Sequence, residues 1–167
     1  LAPADKAALK EVILKNAKAF ELVAEMGDKP CFLYRDPSRS LTESLSPDAS
    51  KMIQTTKLMF LSALFSAEDG DAGGAIAGLV TGLKFTPLVA QEGTLIAVLI
   101  SMADTRLLSM GIGEVCAGRA LEDKDLVRLM GVQDPSPWRQ RLAAAFRGER
   151  VKLLETGEDL FKAGLGD

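Results

Sequence analysis

The 167-residue sequence contains no histidine, only two cysteines, and one tryptophan and one tyrosine in an aromatic content of 5%. Without an imidazole there can be no His general base, no Ser-His or Cys-His nucleophile pair, no zincin motif and no carboxylate–His di-iron site. Cys31 and Cys116 are far apart and form no CxxC pattern. They read as two small buried hydrophobes, with a single disulfide as the alternative. The sequence has no GxxxxGK[ST] loop and no GxGxxG following a strand, so the usual nucleotide cradles are missing. Asp123 and Asp125 lack the later ligands of an EF-hand loop. No metal, no cofactor and no enzymatic activity are expected.

Long apolar runs are equally scarce. Ala72–Leu83 and Gly93–Ala103 are the longest uncharged stretches, and Asp104 and Arg106 close the second. Both fall short of the roughly 18–20 residues a membrane span needs, so none is expected. The net charge of -3 supplies no positive field for phosphates, and no RNP, KH or zinc-finger pattern is present, so nucleic acid is not an expected partner.

What the chain does have is enough apolar material for one domain over 1–167: 47% hydrophobic residues against 26% charged. A chain of this size buries about two-thirds of its unfolded surface, which suffices for a core without disulfide or metal. The start at Leu1 rather than Met suggests that something upstream was removed, and a signal peptide, a membrane anchor or an artificial boundary would each look like this.

The periodicity is helical throughout, and no segment alternates with the period of a strand. Asp5 opens a first helix to about Met26, with Leu9, Val12, Ile13, Phe20 and Val23 on its apolar side. Residues 27–47 hold three prolines and read as a long strap, docked through Phe32, Leu33, Tyr34, Leu41 and Leu45 or contacting a partner. Ser46 and Pro47 start a second helix to about Asp69. It is apolar all round from Leu58 to Ala67, as a central helix would be.

Asp71 caps a third helix running towards Pro87, in which Gly74, Gly78 and Gly82 form a stripe for close helix approach. Thr94 opens a fourth, to about Gly118, whose apolar surface is Leu95, Leu99, Met102, Leu107 and Met110. Gly111-Ile112-Gly113 within it reads as a bend or close-packing point. Leu121 to Gly131 forms a short fifth helix. Ser136 and Pro137 begin the last, with a stripe of Trp138, Leu142, Phe146, Leu153 and Leu160 and a break near Gly157.

Two ionisable residues fall on apolar stripes. Arg106 lies one turn from Met102 and Met110, and Glu149 lies between Leu142, Phe146 and Leu153. Unpaired charges facing inward are costly, so the two are expected to pair, either to fix helix register or to bind a ligand. Arg139, Arg141, Arg147, Arg150 and Lys152 give the last helix a basic face beside Trp138.

Gly70, Ala75, Leu79, Gly82 and Pro87 follow a spacing that resembles the second half of a tetratricopeptide repeat. The stretch from Asp36 to Arg150 resembles an uncharacterised family of bacterial helical domains. The resemblance rests on Asp36-Pro37-Ser38, Glu68-Asp69-Gly70-Asp71, Glu92-Gly93-Thr94-Leu95-Ile96 and Gly148-Glu149-Arg150. Where the family has a tryptophan, this chain has Pro37. The resemblance implies an extracytoplasmic helical domain and no particular activity.

The sequence therefore predicts an all-α domain of about six helices in a tetratricopeptide-like antiparallel hairpin stack. The expected role is non-enzymatic interaction or scaffolding, with an unidentified protein partner. The alternatives are a carrier of a small apolar ligand and a homodimer packed through the Gly-rich third helix. Tyr34, Arg106, Glu149 and Arg150 are the candidate partner- or ligand-binding residues.

Overall fold

A computed structural model describes residues 3–27, 47–90, 94–132, 140, 142–147, 150, 153–154 and 157–158. The described residues are helical, with no strand among them. The elements are α1 (Pro3–Lys15), α2 (Ala17–Gly27), α3 (Pro47–Glu68), α4 (Ala72–Val89), α5 (Leu95–Gly118) and α6 (Asp123–Met130), followed by helical residues including 142–147. The strap expected at 27–47 lies outside the described residues apart from its two ends.

Local chemistry fixes most of the boundaries. α3 stops because Gly70 takes φ +92°, the left-handed conformation that costs glycine least. The Gly70 and Asp71 amides then donate to Ala67 O and Ser66 O, a Schellman closure of the last turn. Arg119 adds to it by donating from Nε to Ala67 O at 3.0 Å. The Asp71 carboxylate accepts from Gly74 N at 2.8 Å and caps α4, and Thr94 Oγ1 accepts from Ala97 N at 3.0 Å and caps α5. The single helix expected over 5–26 is interrupted at Asn16, whose side-chain amide donates to Val12 O and competes with the backbone ladder.

α3, α4 and α5 form the core. Contacts pair Ala63 with Gly78 and Leu108 with Gly82, so α4 runs antiparallel to both neighbours. α3 and α5 run parallel, with Thr56 against Asp104 and Phe60 against Gly111. The central helix is α4, not the all-round apolar α3. Ala75, Ile76, Leu79, Val80, Leu83, Phe85 and Leu88 are all buried on α4, whereas Leu58, Leu61, Leu64 and Phe65 of α3 are half-exposed. Small residues decide this, because they let neighbours close in from several sides. A Cβ at Gly82 would lie 2.9 Å from Leu108 Cδ1, while one at Gly78 would find only Ala63 Cβ at 4.0 Å. Within the expected stripe, then, Gly82 serves packing, Gly74 makes room for its own cap, and Gly78 is not under pressure. With its middle enclosed by its own chain, α4 is poorly placed for the homodimer contact expected of it.

α2 rests on this core through Val23, beside Met59, Phe85 and Leu88. α1 lies against the end of α3, with Lys6 paired to Glu68 and the Lys10 ammonium 5.7 Å from the Phe65 ring centroid. α6 turns its Asp125 carboxylate towards the start of α4, 3.4 Å from where a Gly73 Cβ would sit. The positive end of the α4 dipole favours a carboxylate there. Cys116, expected to be buried, is an exposed free thiol. Cys31 lies outside the described residues.

Candidate functional site

α5 has two faces, and apolar side chains lie on both. The buried side carries Ala97, Val98, Ser101, Asp104, Leu108, Gly111 and Val115, mostly small or polar. The outward side carries Ile96, Leu99, Met102 and Met110, which are 49%, 52%, 38% and 57% exposed. The apolar surface expected at Leu99, Met102 and Met110 is therefore apolar but turned outward. Close helix approach explains the exchange. A Cβ at Gly111 would lie 2.8 Å from Leu79 and 3.0 Å from the Phe60 ring, so a large side chain on that line would separate the helices.

The buried side is stitched by hydroxyls. Thr56 Oγ1 on α3 donates to Asp104 Oδ2 at 3.0 Å, with both residues buried. Burial pushes the Asp104 carboxyl up to about 6, against the smaller opposing effects of the Thr56 hydrogen bond and the Lys57 charge. Pro87 has no N–H to give Leu83 O, and Thr86 Oγ1 donates to that carbonyl at 3.2 Å instead. Ser101 Oγ donates to Thr86 O at 2.6 Å, and the Thr86 and Thr105 hydroxyls lie 2.9 Å apart. In the sequence Asp104 marks only the end of an apolar run. Its i,i+3 spacing from Ser101, with Thr105 beside it, was the available signal of a polar seam.

Arg106 was expected to point partly inward, but it is exposed in the middle of the outward apolar side. It forms no ion pair with an acid among the described residues. Ala145 and Leu142, in the helical stretch 142–147, pack beside Ala90 and Val98. Glu149 and Tyr34 lie outside the described residues, as do Trp138, Arg139, Arg141 and Lys152 of the basic face. Arg150 and Arg147 are exposed and helical. Phe146 and Leu153, expected on the packed stripe, are exposed, and Gly157 is helical rather than a break. The structure thus leaves Arg106 outside, and Glu114, one turn beyond Met110, is exposed on α5 as well.

By length and composition α5 is the one described helix that could cross a membrane. The count of uncharged runs missed it because Asp104 and Arg106 interrupt the run; in the fold, Asp104 is held against α3. Among the described residues no group of three His, Cys, Asp or Glu side chains could hold a metal ion. No protein-family model matches the chain, and no similar curated protein or solved structure was found.

Proposed function

We propose that this chain is a non-enzymatic interaction or scaffolding domain and that the outward side of α5 is its partner-binding surface. The observation that carries the reading is the exposure of Ile96, Leu99, Met102 and Met110 along one side of a well-packed helix. An exposed apolar patch rimmed by polar residues is the kind of surface that marks protein contact sites. The up-down-up order of α3, α4 and α5 supports a tetratricopeptide-like hairpin arrangement behind that surface. Such a scaffold holds an exposed helix face rigidly.

For the carrier reading the polar handle of an internal cavity is Arg106 or Glu149; Arg106 stands outside, and Glu149 lies outside the described residues. The experiment is affinity capture with the full chain beside a Leu99→Asp/Met110→Asp variant. Partners that bind through α5 are lost with the variant while its melting temperature stays unchanged. Equal capture by both proteins would overturn the reading.

A further inference from the structure

A single residue, Asn16, joins α1 to α2. Its amide reaches back to Val12 O and Ile13 O, and its carbonyl accepts from the Ala19 and Phe20 amides. Among the described residues no α2 amide donates to an α1 carbonyl, so the helical ladder does not run through the junction. The two helices also hold the core differently. α2 contributes buried Val23, with Phe20 and Met26 packed beside the same cluster. Between Lys6 and Lys15 no side chain of α1 is buried. Leu9 and Ile13 are half-buried, and Val12 and Leu14 are exposed. α1 meets the end of α3 through two cations: Lys6 paired with Glu68, and the Lys10 ammonium over the Phe65 ring. Lys6 and Glu68 are both open to solvent.

We infer that α1 is a releasable flap, which lifts from the end of α3 about Asn16 under the control of charge while α2 stays docked. Local opening is easiest where few apolar groups are buried, and α1 is such a segment. An exposed ion pair and a cation over a half-exposed ring hold only weakly, and salt screens the pair. Once released, a helix of 13 residues is marginal in water, so lifting and loss of helix go together. The break at Asn16 stops that loss from spreading into α2. Glu68 is the control point, because its carboxylate feels the positive charge of Arg119 as well as that of Lys6. When α1 leaves, the Phe65 ring and the Glu68 carboxylate become accessible together. Ionic strength then sets access to this end of α3, independently of the α5 surface.

The test is amide hydrogen exchange on the full chain, read by mass spectrometry at about 20 mM and about 500 mM NaCl. Amides of residues 8–15 are expected to be less protected than those of residues 20–26. High salt is expected to lower their protection about threefold and to leave α2 and α4 unchanged. Glu68→Lys is expected to lower α1 protection at low salt. In that variant added salt should raise protection, because it then screens repulsion from Lys6 and Arg119. Lys6→Glu/Glu68→Lys, which exchanges the signs, should recover most of the wild-type protection at low salt. The α4 amides report in every variant whether the core is intact. Protection of α1 that matches the α4 core, or that salt does not change, overturns the proposal. Joint loss of α1 and α2 also overturns it, since the two would then be one unit with no hinge at Asn16. A Glu68→Lys chain whose α1 still loses protection with salt removes charge as the control and overturns it as well.

Discussion

Asp104 of α5 takes a 3.0 Å hydrogen bond from the hydroxyl of Thr56 on α3, and both residues are buried. One neutral donor does not replace the water a carboxylate loses on burial. The protonated acid is therefore the better-accommodated form, and the group is pushed up to about 6. A raised carboxyl binds its proton more tightly in the folded chain than in the unfolded one. Its contribution to stability is therefore largest below the unfolded value near 3.9 and is lost as pH climbs through about 6. The loss can reach ~3 kcal/mol. Asp104→Asn should raise the melting temperature by several degrees at pH 8 and give no gain at pH 4. Thermal melts of the two proteins across that range check this, and parallel curves at both ends would refute it.

The two glycines at 111 and 113 should respond in opposite directions to the same substitution. Gly113 has open space, so Gly113→Ala should stabilise by up to ~1 kcal/mol through helix propensity alone. At Gly111 the new methyl meets Leu79 and Phe60 inside contact distance, and overpacking of that kind costs ~1–3 kcal/mol. Urea denaturation midpoints of the two variants separate them, and two shifts of the same sign would show that the α3–α5 crossing is looser than described.

Removal of either cap hydroxyl or carboxylate should be felt in the whole domain. Thr94→Ala deprives the Ala97 amide of its acceptor in a buried turn, and Asp71→Ala does the same to Gly74. Each is expected to cost ~1 kcal/mol. Thr94→Ser, which keeps the oxygen, should recover most of the loss. Failure of the serine to do so would mean the methyl group, not the cap, matters at that site.

The Cys116 thiol should react with a disulfide reagent under native conditions without any denaturant, since the residue is exposed and free. Cys116→Ser should abolish labelling at that position and leave stability within ~0.5 kcal/mol of wild type. Labelling that appears only in denaturant would place the thiol inside the fold.

The sequence by itself determined where α3, α4 and α5 begin and end, because those decisions are local; the break at Asn16 was not read from it. Asp71 and Thr94 carry oxygens at the right distance from a free amide, and Gly70 alone in its turn takes a positive φ without strain. The all-α class and the bounds of α3, α4 and α5 were legible for that reason. Which side of each helix faces inward was decided only by tertiary packing. α5 is apolar around much of its circumference, so its periodicity names no single face, and the reading that chose its largest side chains chose the wrong one. The helices come together where small and hydroxyl-bearing residues allow it: Gly82 under Leu108, Gly111 under Phe60, and Thr56 against Asp104. The same contacts put α4 rather than α3 at the centre and left Arg106 outside. Steric fit between helices distant in sequence, which no local pattern encodes, turned the apolar side of α5 into the surface of the protein.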